Sequence, residues 1–340
     1  MAGSSVSARN SAVLPGDLLN ELADGQARSR EALAGALRLD AATLARQLEQ
    51  LEAVGLTLHS DAAGTVALAE RLDWIDGKAI EARLSPAIGA QLEGIEHFLQ
   101  LESTNRYLLE APPPPPGKTR VAIAEYQTGG RGRRGRSWTM PPGAGIALSA
   151  AWNFAPAPEG LTALSLAVGA AARRAIRTAV GIEVGLKWPN DLIVDRGKLG
   201  GILVEVDRPE TGTCRVVAGI GINVKVPNAY LAGVSHFRYG ARDLASATGA
   251  AVDRSTLAAR LVEQLVELFA NFAATGFAPY RAEWLAAHVL DGQSVELSSA
   301  AGVDYGTVRG IEADGALIIE DAAGDRRRII SGDVTVRASV

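Results

Sequence analysis

Three apolar stripes at helical spacing predict three helices between about residue 14 and residue 55. The stripes are Leu18, Leu19 and Leu22, then Leu33 and Leu37, then Leu44, Leu48 and Leu51. Ser29 and Asp40 stand before the second and third stripes, where each side chain can cap a helix N-terminus. Gly55 follows the third stripe and predicts the end of that helix.

An alternating pattern replaces the helical period beyond Gly55. Residues 56–58 and 66–68 alternate on either side of a turn at 61–64, so we expect a β-hairpin there. Two helices joined by a short turn and followed by a hairpin form the pattern of a winged helix-turn-helix, a DNA-binding shape. A helical docking domain fits the same pattern equally well, and the pattern does not separate the two.

Strands and alanine-rich helices mix in the longest segment, from about residue 85 to residue 285. Strands are predicted at 121–124, 146–149, 192–194, 202–204 and 216–217, and amphipathic helices at 161–179 and 256–273. Five consecutive prolines at 112–116 predict a stiff spacer between a helix and a strand. A ligand for a proline-binding module is the less favoured interpretation of this run.

The tail after about residue 290 has a third pattern. Short strands are predicted at 295–297, 307–311, 316–320, 327–330 and 334–336, separated by Gly or Asp turns. Strands this short and regular are typical of a small barrel. The predicted boundaries are therefore 1–84 for the helical unit with its hairpin, 85–287 for the mixed segment and 288–340 for the barrel.

Composition narrows the class of protein. The 340 residues include 34 Lys and Arg against 38 Asp and Glu, so nucleic-acid binding would have to come from a local patch. A single cysteine, Cys214, excludes a disulfide scaffold and a thiolate zinc site, and the four histidines have no ligand spacing. No stretch has the ~18 consecutive apolar residues of a membrane span, and the first residues lack a secretory pattern. We expect a cytoplasmic protein.

The most distinctive stretch is the arginine–glycine loop, residues 129–138. Its Gly130, Gly132 and Gly135 form a literal G-x-G-x-x-G after a predicted strand, which is the spacing of a dinucleotide-binding turn. That turn requires a helix opening at the last glycine, because the pyrophosphate sits on the helix N-terminus. Here the chain continues into Met-Pro-Pro-Gly at 140–143, which cannot continue a helix, so we reject that interpretation.

Four arginines remain in six positions of this loop. Their like charges repel one another, so the empty loop is expected to be mobile, and an anion with several phosphate oxygens would order it. The loop composition equally favours RNA or DNA binding. Two further stretches bear on this choice: 187–191, Lys-Trp-Pro-Asn-Asp, and 198–205, which begins with a lysine and holds paired glycines before a buried strand.

Taken together, these motifs resemble those of the biotin protein ligases, specifically the bifunctional ligase/repressor type with an N-terminal winged helix. The motifs are Ser103-Thr104-Asn105, Glu125-Tyr126-Gln127, the run from Gly130 to Arg136, Lys187-Trp188-Pro189-Asn190-Asp191, residues 198–205, and Gly219-Ile220-Gly221-Ile222-Asn223. The resemblance covers the whole central segment, and the flanking segments fit the same plan.

The resemblance implies an α+β protein with three parts. These are an N-terminal winged helix-turn-helix, a central domain with a mixed sheet related to class II aminoacyl-tRNA synthetases, and a C-terminal SH3-like β-barrel. It also implies a two-step reaction in which biotin and MgATP give biotinyl-5′-adenylate. A lysine of a biotin carboxyl carrier protein, a subunit of acetyl-CoA carboxylase, then attacks that adenylate. ATP, biotin and Mg²⁺ are thus the expected ligands, and a ligand-induced homodimer is compatible with the family.

The resemblance also assigns roles to individual residues. Arg133 and Lys198 are the expected catalytic cations, because fixed positive charge stabilises the charge that develops in adenylation. The expected biotin-binding set is Ser103, Thr104, Asn105, Gln127, Arg131, Gly132, Arg133 and Lys198. The expected ATP or adenylate set is Arg131, Arg133, Arg136, Trp138, Lys187, Asn190 and Asn223. Asp191 is a candidate carboxylate for magnesium.

Two other functions remain open from the sequence. A lipoate ligase shares the central fold and the chemistry, although the arginine–glycine loop favours biotin. A ligand-sensing repressor that has lost ligase activity is the second, although all the catalytic motifs are present.

The charge of residues 1–85 argues against strong DNA binding. This stretch holds eight Lys and Arg against twelve Asp and Glu, a net charge of −4. Cationic side chains supply most non-specific affinity for phosphate, and the presumed recognition helix offers only Arg46 and Gln47 for base contacts. We therefore expect binding to operator DNA to be weak or lost.

Overall fold

The computed structural model describes residues 13–62, 64–207, 213–232, 240–299, 302–330 and 332–336. Ala63 in the predicted hairpin turn and His236 lie outside the described residues. The helices are α1 Gly16–Leu22, α2 Arg30–Leu37, α3 Ala41–Ala53, α4 Gly77–Glu81, α5 Pro86–Gly89, α6 Thr104–Glu110, α7 Leu164–Val180, α8 Asn228–Ala232, α9 Leu244–Thr248, α10 Arg254–Thr275 and α11 Ala278–Ala286, with 3-10 turns at Arg133–Gly135 and Leu161–Ala163.

The strands alternate with these helices and are numbered in chain order. They are β1 Arg28–Ser29, β2 Leu58–Ser60, β3 Thr65–Leu68, β4 Leu92–Leu101, β5 Thr119–Gln127, β6 Gly145–Phe154, β7 Gly185–Lys187, β8 Asp191–Val194, β9 Gly197–Asp207, β10 Cys214–Asn223, β11 Ser294–Ser299, β12 Gly302–Ile311, β13 Leu317–Glu320, β14 Arg326–Ile329 and β15 Asp333–Val336. The strands predicted from the pattern are confirmed, except that the first hairpin strand lies at 58–60 rather than 56–58. The pattern did not show β1, β4 and β7.

The N-terminal unit consists of α1 to α3 and a small antiparallel sheet of order β1-β3-β2. The predicted caps are confirmed: the Ser29 hydroxyl accepts the Ala32 N–H at 3.0 Å, and the Asp40 carboxylate accepts the Thr43 N–H at 2.7 Å. The leucines of the three predicted stripes pack into one cluster of their own. Local sequence therefore accounts for this unit, because caps and helical stripes act over three or four residues.

The central sheet has seven strands in the order β4-β5-β6-β10-β9-β8-β7. The β4–β5 pair is parallel and the other pairs are antiparallel, so the predicted mixed sheet is confirmed. Leu148 of β6, Ile220 of β10 and Ile202 of β9 belong to one buried cluster with the apolar faces of α7 and α10. These helices cover one face of the sheet, and the other face is left for α6 and the arginine–glycine loop.

The C-terminal strands form a five-stranded antiparallel sheet of order β14-β13-β12-β11-β15. Its buried residues, such as Val295 and Leu317, join the cluster of the central segment. Trp188 is 2% exposed and its indole N–H donates to the Gly315 carbonyl at 3.0 Å. The tryptophan of the Lys-Trp-Pro-Asn-Asp stretch therefore ties the central sheet to the C-terminal sheet.

The N-terminal unit packs directly on the central segment. Tyr126 of β5 is 3% exposed and lies in the leucine cluster of the N-terminal unit, where burial raises its pKa to about 12. A Cβ on Gly55 would lie 2.9 Å from Pro141 and 3.1 Å from Tyr230, so the turn after α3 touches the segment that follows the arginine–glycine loop. Among the described residues, none of the helices combines the length and apolar character that crossing a bilayer requires.

Candidate active site

Small residues line up across four strands on the sheet face opposite α7 and α10. Ala147 of β6 pairs with Gly221 of β10, Gly221 pairs with Gly201 of β9, and Gly201 pairs with Asp191 of β8. Paired residues project to the same side of a sheet, so this row has almost no side-chain volume. It forms the floor of a trough, which we call the glycine trough.

Lys198 lies over this floor. Its Nζ atom is 2.7 Å from Asp191 Oδ1 and 3.5 Å from the position a Cβ on Gly201 would take. The Lys198 and Asp191 side chains are 15% and 11% exposed, so the ion pair is largely removed from water. A charge held in such surroundings acts on an anion more strongly than a solvated one.

Trp138 closes the trough beside Lys198. A Cβ on Gly221 would lie 2.4 Å from the Trp138 ring, so only glycine allows the ring to lie where it does. The Lys198 ammonium is 5.8 Å from the centroid of the same ring. Within the described residues the buried indole N–H of Trp138 has no hydrogen-bond partner.

The arginine–glycine loop folds as a short hairpin above the trough. The Trp138 N–H donates to the Gly130 carbonyl at 2.8 Å, and the Gly132 N–H donates to the Arg136 carbonyl at 2.7 Å. A 3-10 turn at the tip is followed by no α-helix, which confirms that this G-x-G-x-x-G is not a dinucleotide-binding turn. The loop conformation in the absence and presence of ligand stays a prediction.

The four loop arginines are not equivalent. Arg133 is partly buried, and the other three are exposed. Arg131 Nη2 lies 3.7 Å from Glu205 of β9, and Arg134 Nη2 lies 3.5 Å from the Ser298 carbonyl of the C-terminal sheet. The burial of Arg133 is consistent with its selection as the catalytic arginine.

A chain of hydrogen bonds forms the other end of the trough, beneath the N-terminus of α6. Thr104 and Asn105 are both 4% exposed, and Ser149 of β6 is 0% exposed. The Thr104 N–H donates to Gln127 Oε1 at 2.8 Å, and Ser149 Oγ is 2.7 Å from Thr104 Oγ1 and 2.6 Å from Asn105 Oδ1. This end of the trough is therefore rich in uncharged donors and acceptors.

Asn105 extends this chain to β9. Its Nδ2 group donates to Glu205 Oε2 at 2.8 Å and to the Leu203 carbonyl at 3.1 Å. A Cβ on Gly219 would lie 2.1 Å from Asn105 Oδ1, so this glycine makes room for the amide. Ser103 caps α6, although its 3.4 Å contact with the Arg106 N–H is long.

Sequence reasoning missed two members of this chain, Ser149 and Glu205. Ser149 is a polar residue within the apolar run 146–149, and that contrast was the available signal. Glu205 ends the 198–205 stretch but was given no role. Ser149 reaches this chain because the sheet register places it opposite Gly219 of β10.

The two asparagines predicted to contact adenine both donate to backbone carbonyls, and their contact with adenine stays a prediction. The Asn190 side-chain N–H donates to the Ile202 carbonyl at 2.7 Å, and the Asn223 side-chain N–H donates to the Arg242 carbonyl at 3.0 Å. Both amides thus hold backbone segments at the trough edge. Lys187 lies on β7, paired with Asp191 of β8.

Asp191 does not stand as a free metal ligand, because Lys198 is its partner. The described part of the chain contains no group of three or more His, Cys, Asp or Glu side chains that would hold a metal. Magnesium commonly binds through one or two carboxylates together with substrate phosphates. The residues therefore do not fit a metal held by the protein alone, and we derive no step through one.

A second buried charge cluster lies behind the trough, where the linker from the N-terminal unit meets the central sheet. The Glu125 carboxylate accepts the Ile75 N–H at 2.6 Å, a His97 contact at 3.1 Å and the Arg254 guanidinium at 2.7 Å. Burial pushes the pKa of Glu125 up, but the His97 hydrogen bond and the Arg254 charge outweigh it and hold the pKa below its usual range. A cavity of about 400 Å³ adjoins this cluster and is separate from the glycine trough.

Comparisons with known proteins match this architecture. Residues 98–223 match the Biotin/lipoate A/B protein ligase family, and residues 292–337 match the Biotin protein ligase C terminal domain. The Bifunctional ligase/repressor BirA of Escherichia coli is 31% identical over 329 residues, covering 96% of this chain and 98% of that protein. This chain belongs to the biotin protein ligase family.

Two further biotin protein ligases each match only part of this chain. A Biotin--[acetyl-CoA-carboxylase] ligase of Paracoccus denitrificans is 35% identical over 235 residues, covering 66% of this chain and 92% of that protein. A solved biotin protein ligase from Aquifex aeolicus, in complex with biotin and ATP, superposes with a TM-score of 0.60 at 25% identity. It covers 73% of this chain and all of that structure. These matches, like that to the Escherichia coli protein, are to biotin protein ligases.

Proposed function

We propose that this ligase activates biotin with ATP to biotinyl-5′-adenylate and then transfers the biotinyl group to a lysine of a biotin carboxyl carrier protein. The observation that carries the proposal is the glycine trough, which has uncharged donors and acceptors at one end and Lys198 and Trp138 at the other. Biotin has the matching form, with a polar cyclic urea at one end and a carboxylate at the other.

In the first step a biotin carboxylate oxygen attacks the α-phosphorus of ATP and pyrophosphate leaves. Two anions must approach each other, so the site needs fixed positive charge where the new charge develops. Lys198 supplies it from a largely buried position, held by Asp191 at 2.7 Å. Arg133 supplies the second cation, and Trp138 provides a flat apolar surface for the adenine. Magnesium is expected only as the ion that arrives with ATP.

In the second step the ε-amino group of the carrier lysine attacks the acyl carbon, AMP leaves and the nitrogen loses a proton. The nucleophile belongs to the carrier, so the ligase needs no nucleophilic serine or cysteine of its own. The sole cysteine, Cys214, is buried in the core and fits this requirement. The carrier proposal follows the acetyl-CoA carboxylase named for the relatives.

A carrier-labelling assay tests this function. Purified protein is incubated with ATP, a carrier domain, and labelled biotin or labelled lipoate. Transfer of biotin alone supports the proposal, and transfer of lipoate alone would establish the lipoate ligase instead. If the carrier domain is labelled with neither biotin nor lipoate, the remaining hypothesis is a ligand-sensing repressor without ligase activity.

A weaker second proposal concerns DNA. The three helices, the hairpin and the name of the Escherichia coli relative support a winged helix-turn-helix with α3 as its recognition helix. The charges do not support tight binding: Arg28, one of the few cations of this unit, is paired with Asp24 at 2.7 Å. We propose that operator binding is weak or lost at physiological salt, while ligation is unaffected.

A gel shift of the adenylate-loaded protein on the promoter of its own organism's biotin genes tests this. Nanomolar, sequence-specific binding would contradict the charge argument. Size measurements of the same samples test the ligand-induced homodimer, which stays a prediction. The boundaries 1–84, 85–287 and 288–340, the cytoplasmic location, and the SH3-like form of the five-stranded sheet are likewise proposals.

A further inference from the structure

Three oxygen–oxygen contacts lie in the buried hydrogen-bond chain at the polar end of the glycine trough. Ser149 Oγ is 2.6 Å from Asn105 Oδ1 and 2.7 Å from Thr104 Oγ1, and Thr104 Oγ1 is 3.2 Å from Gln127 Oε1. Amide oxygens only accept, so the two hydroxyl groups supply just two protons for these three contacts. One contact must therefore lack a proton.

The lengths of the three contacts and the orientation of Asn105 together decide which contact that is. Its amide nitrogen donates to the Glu205 carboxylate at 2.8 Å and to a β9 carbonyl at 3.1 Å, so its oxygen faces Ser149 and only accepts. Both Ser149 contacts fall within the roughly 2.5–3.0 Å of an O–H···O hydrogen bond, whereas the 3.2 Å contact between Thr104 and Gln127 is longer, so both protons lie in the Ser149 contacts. Because the Asn105 oxygen cannot donate, Ser149 gives its proton to Asn105. The Ser149 oxygen, 2.7 Å from the Thr104 oxygen, accepts the proton of Thr104. The contact between Thr104 and Gln127 is left without one.

Two acceptor oxygens, Thr104 Oγ1 and Gln127 Oε1, therefore stand 3.2 Å apart with no proton between them. Gln127 keeps this orientation because its oxygen also accepts the Thr104 backbone N–H at 2.8 Å. Adjacent acceptors repel one another unless a donor satisfies both, and an N–H group from a ligand is such a donor.

We infer that Ser149 is a positioning residue that turns the Thr104 hydroxyl away from the substrate, so that Thr104 and Gln127 together accept one N–H of the cyclic urea. Glu205 sets the direction of the chain through Asn105, from β9 on the same face of the sheet. This inference rests on the proposed biotin chemistry. According to this inference, the preference for a ligand with an N–H group at this position depends on Ser149, which does not itself contact the substrate.

The test compares Ser149→Ala with the wild-type enzyme on biotin and on its two cyclic carbamate analogues, in which a ring oxygen replaces one or the other ureido N–H. In the wild-type enzyme, one analogue places its ring oxygen against the two acceptors. We expect that analogue to be used at least about 100-fold less well than biotin, because sites built around a hydrogen bond reject partners that lack it.

In Ser149→Ala the Thr104 hydroxyl loses its acceptor and is free to donate to the ring oxygen. We expect kcat/KM for biotin to fall about tenfold, the change that follows from losing one hydrogen bond. We expect kcat/KM for the disfavoured analogue to rise above its wild-type value. Loss of a merely structural hydrogen bond lowers both values and cannot produce that rise.

Ser255→Ala is the matched control. Its buried hydroxyl accepts the Asp76 N–H at 3.0 Å in the linker, away from the trough, and its removal should leave the preference for biotin unchanged. Ser149→Cys, which keeps a weak donor and acceptor, should show an intermediate preference and decides the matter if Ser149→Ala does not fold. An unchanged preference in active Ser149→Ala or Ser149→Cys overturns the inference, whereas a wild-type enzyme that does not transfer biotin overturns the proposed function.

Discussion

Replacing Glu125 by Gln is expected to destabilise the protein by about 3–5 kcal/mol, the usual cost of breaking a buried ion pair by removing one partner. The Glu125 side chain is 0% exposed and its partner Arg254 is 7% exposed, so water cannot replace the lost charge. The substitution keeps the shape of the side chain, which separates the effect of charge from that of packing. The Arg254 guanidinium would keep its contacts to the backbone carbonyls of Gly145 and Asp73 but lose the negative charge that balances it.

Urea denaturation followed by tryptophan fluorescence measures this loss, and Trp74 lies in the linker beside the cluster. The matched control is Glu70→Gln, which breaks an exposed pair with Lys225 and should cost less than about 1 kcal/mol. The double variant Glu125→Gln with Arg254→Met should be more stable than the sum of the single effects predicts, because it leaves no unpaired charge. A Glu125→Gln variant within 1 kcal/mol of the wild type would refute the reasoning.

Four other outcomes follow from the structure. Burial lowers the pKa of His288 from 6.5 to about 4. Between pH 6.5 and pH 4 the unfolded chain therefore binds a proton at His288 that the folded protein does not bind. The free energy of unfolding should fall by up to roughly 3 kcal/mol as the pH is lowered through this range. Urea titrations of His288→Phe should not show this loss. Gly221→Ala should displace Trp138 and slow adenylate formation at least about tenfold, whereas Gly94→Ala, with open space around it, should not; equal rates would show that the ring moves freely. Arg133→Ala should leave the fold intact and reduce adenylate formation by roughly 100- to 1,000-fold, and wild-type carrier labelling would remove Arg133 from its role. Limited proteolysis should cut residues 129–138 faster without ligand than with biotin or the adenylate; equal rates would contradict the expected ordering.

Much of the architecture could be predicted because it depends on short-range patterns. Ser29 and Asp40 cap helices through bonds to residues three positions away, and apolar runs such as 146–149 form buried strands. The same is true of the loop at 129–138, where Pro141 and Pro142 forbid the helix that a dinucleotide site requires. Each of these depends on neighbours along the chain, so a single sequence reveals them.

The residue types needed for adenylation were also determined by the sequence. The motifs placed Thr104, Gln127, Arg133 and Lys198 among the candidates, and the structure brings Thr104 and Gln127 together at one end of a single trough and Lys198 to the other. The motifs did not show why these residues can lie in one trough. The reason is the row of Ala147, Gly221 and Gly201, which arises from strand register rather than from spacing along the chain.

Only the tertiary structure decided how the polar groups are paired. Asn190 donates to the Ile202 carbonyl and Asp191 pairs with Lys198, contacts that the sequence did not indicate. Their predicted contacts with adenine and magnesium stay predictions. Ser149 and Glu205 entered the site because β6, β9 and β10 are adjacent in the sheet. Hydrogen bonds and ion pairs act over about 3–4 Å. Their partners are therefore set by which strands become neighbours. The contacts of Asn105 with Ser149 and Glu205 join residues that lie 44 and 100 positions apart.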